Sequence, residues 1–146
     1  MPRLSAISYV VAVALLFAKL LVVITLQGQR RKASGRFRYP EDARAWSGEV
    51  AAPEADDVER LQAALRNDQE TVPYFLALGA GYVALGASPL AAPVYFGAFV
   101  LSRIGHGLLM LRPRQPLRTQ VFGLGVLTLL ALTIHVLVAA LGASTP

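Results

Sequence analysis

The chain has 146 residues, 55% of them apolar, a mean hydropathy of +0.50 and a formal net charge of +5. These values indicate one small integral membrane domain spanning residues 1–146. The absence of cysteine excludes a disulfide framework, a thiolate metal site and a cysteine nucleophile. The basic residues flank apolar segments, so the charge is interpreted as a topology signal and a nucleic-acid surface is disfavoured.

Continuous apolar runs predict an all-α membrane protein with a four-transmembrane-helix bundle. A spanning helix needs about 20 mostly apolar residues, and the predicted helices cover residues 4–26, 56–86, 90–110 and 119–143. The apolar part of the second helix begins only at Thr71, so this helix is expected to start upstream, near Asp56. The first helix is interpreted as a retained span and not a signal peptide, because Lys19 interrupts it and no small-residue cleavage site follows.

The charges are distributed unevenly along the chain. All nine acidic residues lie within residues 41–70, and basic residues cluster at 30–38 and 112–118. Both basic clusters fall in the first and third connections between the predicted helices. The positive-inside rule therefore places these connections in the cytoplasm and both termini outside it. Within the long first connection, residues 39–42 are interpreted as a turn.

A polar helix leads directly into the second apolar segment. On helical spacing Arg66 and Glu70 share one face, with Asn67 beside them, at the depth where headgroups give way to hydrocarbon. Charges at that depth are costly unless they are paired or hold a ligand, which predicts a binding site. The alternative is an interfacial cap in which Arg66 and Glu70 pair with each other at i,i+4.

Further polar residues interrupt the other apolar segments. Arg103 and His106 share one face of the third helix, where an arginine costs roughly 2.5–3.5 kcal/mol to insert. Arg118 opens the fourth helix and is followed at once by the hydroxyl of Thr119. Lys19, in the middle of the first helix, also requires a partner or a polar cavity.

Metal catalysis has little support in the sequence. The two histidines, His106 and His135, fall on different predicted helices, and no carboxylates lie at ligand spacing. We therefore predict no metal site and a structural role for His135.

An anion site is predicted where the helices meet the cytoplasm. It would combine four arginines from the four helices or their ends: Arg31, Arg66, Arg103 and Arg118. Only Glu70 and Asp42 would balance them. Guanidinium groups bind carboxylates, Glu70 can accept from an amine, and a thiolate is favoured beside Arg118 and Thr119. Glutathione carries these groups.

Several motifs resemble the MAPEG superfamily of membrane glutathione enzymes, and in particular its microsomal prostaglandin E synthase branch. The likeness extends from about Lys19 to Thr119. It rests on these strings: Gly28-Gln29 with Arg31, Pro40-Glu41-Asp42-Ala43, Glu59-Arg60, Arg66-Asn67-Asp68-Gln69-Glu70, Arg103-Ile104-Gly105-His106 and Pro116-Leu117-Arg118.

The resemblance implies a homotrimer of four-helix bundles that binds glutathione between neighbouring subunits, near the cytoplasmic face. Seven positions match the family's glutathione contacts: Arg31, Arg66, Asn67, Glu70, Arg103, His106 and Arg118. Arg118 and Thr119 match the pair that faces the thiol, and Asp42 matches an aspartate proposed to act with that arginine. These three are the expected catalytic residues.

Two departures limit what can be carried over from the family. Met110 and Phe122 stand where relatives have tyrosines, so a tyrosine-assisted thiolate is disfavoured and the lipid substrate is not transferable. The leading hypothesis is a glutathione-dependent membrane transferase, peroxidase or isomerase acting on apolar electrophiles or lipid peroxides. The alternative is a non-catalytic lipid-binding or scaffold member of the same superfamily.

Overall fold

Four long helices carry most of the apolar residues. The computed structural model describes residues 2–112 and 114–143. In chain order its elements are α1 (Pro2–Ser34), β1 (Arg36–Phe37), α2 (Pro40–Ala45), β2 (Glu49–Val50), α3 (Asp56–Ala84), α4 (Ala92–Leu111) and α5 (Leu117–Ala143). The strands form a two-residue parallel pair within the first connection. Apart from this short strand pair, the elements of the described residues are helices, which confirms the all-α prediction.

Three of the described helices are long and apolar enough to cross a membrane, namely Arg3–Ser34, Ala92–Leu111 and Leu117–Gly142. Large apolar side chains remain exposed along them, as expected for surfaces that face lipid. Helix α3 does not qualify because its first half is charged. Its apolar part, residues 71–84, extends only about 21 Å, against about 30 Å for a hydrocarbon core.

The first connection is more helical than predicted. Helix α1 continues through residues 27–34, because Arg31 and Lys32 in its last turn interact favourably with the helix dipole. Gly35, at φ +64°, ends the helix. The predicted turn at residues 39–42 is wrong. Pro40 instead begins α2, since proline suits the first helical position and acidic residues follow it in the first turn.

The core lies where α1, α3, α4 and α5 meet, and aromatic rings fill it. Phe75 of α3 stacks on Phe99 of α4 with ring centroids 4.3 Å apart. Gly79 lets the Tyr9 ring reach α3, because a Cβ there would lie 2.6 Å from Tyr9 Cε2. This close contact sets the spacing of α1 and α3.

Two polar groups inside the bundle have the environments that the sequence required. Lys19 pairs with Asp68, and both side chains are nearly buried. His135 packs edge-on against Tyr82, with ring centroids 5.1 Å apart, and its Nδ1 lies 3.4 Å from the Tyr95 hydroxyl. These contacts agree with the structural role predicted for His135.

Candidate functional site

A recess of about 390 Å³ opens between α3, α4 and α5, at the end of the bundle where α3 and α5 begin. It brings together six of the residues predicted from the sequence. Its lining consists of Ala63, Arg66, Asn67, Glu70, His106, Met110, Arg118, Thr119 and Phe122. Helical spacing places the α3 residues on one face, and α4 and α5 close the other sides.

Arg66 and Glu70 are exposed at the mouth of this recess. Among the described residues, no ion pair or hydrogen bond joins their side chains. The interfacial-cap alternative required such a pair. Both charged groups therefore remain available to a ligand.

Asn67 is held from behind by Arg103. The Arg103 guanidinium is fully buried, and its Nη1 donates to Asn67 Oδ1 at 2.7 Å and to Thr71 Oγ1 at 3.2 Å. Its Nη2 donates to the Phe122 carbonyl oxygen at 3.4 Å. Because the amide oxygen of Asn67 is engaged, its N–H groups are left for the recess. Arg103 was predicted to contact the ligand, but it lies behind the lining.

A glycine that was not predicted from the sequence makes room for Arg103. A Cβ on Gly125 would collide with Arg103 Nη2 and would lie 2.5 Å from Ser102 Oγ. The sequence carries no signal for this contact, because Gly125 is one of several glycines on apolar helices.

His106 forms part of the recess lining beside Phe122, with ring centroids 5.6 Å apart. Its side chain is buried, and Nδ1 has no hydrogen-bond partner among the described residues. A buried ring nitrogen without a hydrogen-bond partner is unfavourable. A polar group of a ligand in the recess would provide that partner.

The side chain of Gln115, which was not predicted from the sequence, contacts both Arg118 and Thr119. With its oxygen facing Arg118, the Gln115 amide accepts from Nε at 3.3 Å and from Nη2 at 2.9 Å, and its nitrogen donates to Thr119 Oγ1 at 3.0 Å. In the opposite orientation Thr119 donates to the amide oxygen over the same 3.0 Å. The amide N–H groups would then face the guanidinium, so the first orientation is the favourable one. Spacings of three and four residues could have suggested this contact.

The sequence model of the MAPEG family matches residues 9–138 of the chain. The chain belongs to the MAPEG family. It is 34% identical to "Prostaglandin E synthase" of Homo sapiens over 131 residues, covering 89% of this chain and 86% of that protein. The Bos taurus protein of the same name is 35% identical, covering 88% and 85%. "Microsomal glutathione S-transferase 1" of Homo sapiens is 34% identical, covering 76% and 75%. The resemblance seen in the sequence is thereby confirmed.

Besides Arg103, two predicted residues lie outside the recess. Arg31 donates to buried Glu54 through Nε at 2.5 Å and through Nη2 at 3.0 Å. Asp42 is half-buried in the first turn of α2. Arg31 and Glu54 belong to the same end of the bundle as the recess, where the end of α1 meets the start of α3.

The charges lining the recess favour an anion that also carries an amine. Arg66 and Arg118 supply two positive charges, and Glu70 supplies one negative charge. Guanidinium forks match carboxylates, and a carboxylate accepts from an ammonium group. Met110 and Phe122 make the rest of the lining apolar. The donors therefore suit a peptide-like anion placed beside an apolar group.

Proposed function

We propose that this protein is a glutathione-dependent membrane enzyme, a transferase, peroxidase or isomerase that acts on apolar electrophiles or lipid peroxides. The names of its relatives support a glutathione-dependent enzymatic function at the level of the family. The observation that carries the proposal is one recess holding a cation and a hydroxyl, Arg118 and Thr119, opposite the polar groups of α3.

Each polar residue of the lining has a role that its chemistry supports. Glu70 accepts from the glutathione amine, and Arg66 and the Asn67 amide donate to carboxylates. The unpaired Nδ1 of His106 forms a hydrogen bond with a polar group of the same ligand. These contacts fix the tripeptide without requiring any of these residues to react.

Arg118 and Thr119 stabilise the sulfur. Bound glutathione would supply the nucleophilic thiolate. Lowering a thiol pKa from about 8.5 by two units takes roughly 2.7 kcal/mol. A close guanidinium and a hydroxyl donor can supply that amount once the recess is closed to water, as it would be between neighbouring subunits. Asp42 would assist Arg118 only if a neighbouring subunit brings it close, because in one chain it lies outside the recess.

A homotrimer would complete the site. Bound between neighbouring subunits, glutathione would meet the recess of one chain and Arg31 and Asp42 of the next. The Arg31–Glu54 pair would then have to open or share its guanidinium with the ligand. Assembly would also cover α3, which serves as the fourth span of the bundle and is too polar and short to face lipid alone.

The proposed orientation places the recess toward the cytoplasm and both termini outside it. Support comes from the basic residues at 30–38 and 112–118, which lie near the recess end of the bundle. Because the chain has no cysteine, single cysteines introduced at positions 39 and 90, whose side chains are exposed in the first and second connections, would label cleanly in sealed vesicles. We expect the cysteine at position 39 to be labelled from the cytoplasmic side and the other cysteine from the opposite side. The reverse pattern, or labelling of both from one side, would contradict the orientation.

The test of function begins with glutathione binding, measured by calorimetry on the protein purified in detergent. Turnover of a chromogenic electrophile and of an organic hydroperoxide follows. We expect binding and turnover of at least one substrate. Binding without turnover would favour the non-catalytic lipid-binding or scaffold alternative, and an absence of binding would overturn the site.

A further inference from the structure

We infer that Gln115 is a positioning residue that orients Arg118 and fixes the direction of the Thr119 hydroxyl. The inference rests on the proposed function and deepens it. Gln115 lies just before α5, three residues ahead of Arg118 and four ahead of Thr119. It touches both residues but does not line the recess.

The amide of Gln115 determines what Thr119 can offer to a ligand. A hydroxyl has one hydrogen to donate and lone pairs to accept with. When the Gln115 nitrogen donates to Thr119 Oγ1 at 3.0 Å, the hydroxyl hydrogen remains free to point into the recess. If Thr119 instead donated to Gln115, only lone pairs would face a thiolate, and the interaction would be repulsive.

The same amide holds the guanidinium of Arg118 in one plane. Its oxygen accepts from Nε and Nη2, and Nη1 lies 3.8 Å from Met110 Sδ. An arginine has five N–H donors in a rigid fork, so fixing two of them aims the rest. Arg118 therefore approaches the sulfur position already oriented, and less side-chain freedom is lost when an anion binds.

Two substitutions of Gln115 separate its contact with Arg118 from its contact with Thr119. Gln115→Ala removes both contacts without changing charge. Gln115→Glu keeps an acceptor for Arg118 but has no N–H, so Thr119 must donate to the carboxylate and is lost to the thiolate. Gln120→Glu is the matched control, because it adds the same charge one residue beyond Thr119, and no side-chain contact joins Gln120 to Arg118 or Thr119 in the described structure.

The readout is the ultraviolet absorbance of the glutathione thiolate, titrated against pH at saturating glutathione. Binding of S-methyl glutathione, which has no thiol, is measured alongside. We expect Gln115→Glu to raise the thiolate pKa by about one unit, a roughly tenfold loss of thiolate below that pKa. Gln115→Ala should raise it by a smaller amount. Binding of S-methyl glutathione should change less than twofold in both variants, and Gln120→Glu should titrate close to the unmodified protein.

Failure of this inference can be told apart from failure of the proposed function. If the unmodified protein forms the thiolate and both Gln115 variants titrate as it does, only the role of Gln115 is overturned. A Gln120→Glu shift as large as that of Gln115→Glu would reduce the effect to charge and would also overturn it. If the unmodified protein forms no thiolate, both the proposed function and the inference fail.

Discussion

Arg103 and Asn67 lie 36 residues apart in the chain, yet the buried guanidinium of one holds the side-chain oxygen of the other at 2.7 Å. The contact ties α4 to α3 directly behind the recess. It also gives the Asn67 amide a defined direction, because its oxygen faces Arg103 and its N–H groups point away from that guanidinium. A charge buried in the bundle thus fixes the direction of a neutral side chain in the recess lining.

The first prediction tests this relationship. Arg103→Met should weaken glutathione binding about as much as Asn67→Ala does, because both changes lose the oriented amide. It should also lower the free energy of unfolding by about 1–3 kcal/mol, since the Thr71 hydroxyl and the Asn67 oxygen lose a buried partner. Calorimetry gives the affinities, and thermal unfolding in detergent gives the stability.

The double variant supplies the control. If Arg103 acts through Asn67, the two losses of affinity are not additive, and the double variant should bind about as weakly as either single one. Fully additive losses would mean that Arg103 contacts the ligand itself, as its position in the sequence first suggested.

The second prediction concerns the space that Arg103 occupies. Gly125→Ala should displace the guanidinium, because the new Cβ would meet Arg103 and Ser102. We expect a loss of about 1–3 kcal/mol in stability and weaker glutathione binding. Gly123→Ala is the matched control on the same helix, since nothing lies within 4 Å of a Cβ there. That change should be neutral or stabilise by up to about 1 kcal/mol. Equal effects at both positions would contradict the steric explanation.

The sequence predicted the elements that depend on local pattern. Continuous apolar runs located α4 and α5 to within about two residues, and helical spacing grouped Arg66, Asn67 and Glu70 in one recess. Contacts that depend on packing between helices were not predictable in this way. The place of Arg103 behind Asn67 requires knowing which face of α4 meets α3, and a single sequence does not reveal it.

The first connection shows the same limit. Its basic residues indicated a loop, but a helix tolerates them because they suit the last turn of α1. Glu54 received no role from the sequence, since nothing near it in the chain identifies Arg31 as its partner. In the structure it is fully buried and binds that guanidinium through both oxygens.

The third prediction follows from the Arg31–Glu54 pair. Glu54→Gln should lower the free energy of unfolding by about 1–3 kcal/mol, because a charged hydrogen bond is lost at a buried oxygen. Glu49→Gln is the control, since Glu49 pairs with Arg36 at 3.6 Å and both side chains are exposed. An exposed pair contributes at most about 1 kcal/mol and weakens with salt. Unfolding at low and high salt distinguishes the two pairs. A Glu54→Gln effect no larger than that of the control would contradict a structural role for Glu54.

The last prediction separates binding from thiol activation within the recess. Arg118→Ala should remove most of the glutathione thiolate at pH 7, because the thiol pKa would return toward about 8.5. Its effect on affinity for S-methyl glutathione should be small. Arg66→Ala should do the reverse, weakening binding of both peptides while the bound thiol still ionises. Because a raised thiol pKa costs activity only below that pKa, the Arg118→Ala deficit should shrink as the pH rises through about 8.5. A thiolate retained in Arg118→Ala would show that another group stabilises the sulfur, and Arg118 would then be a binding residue like Arg66.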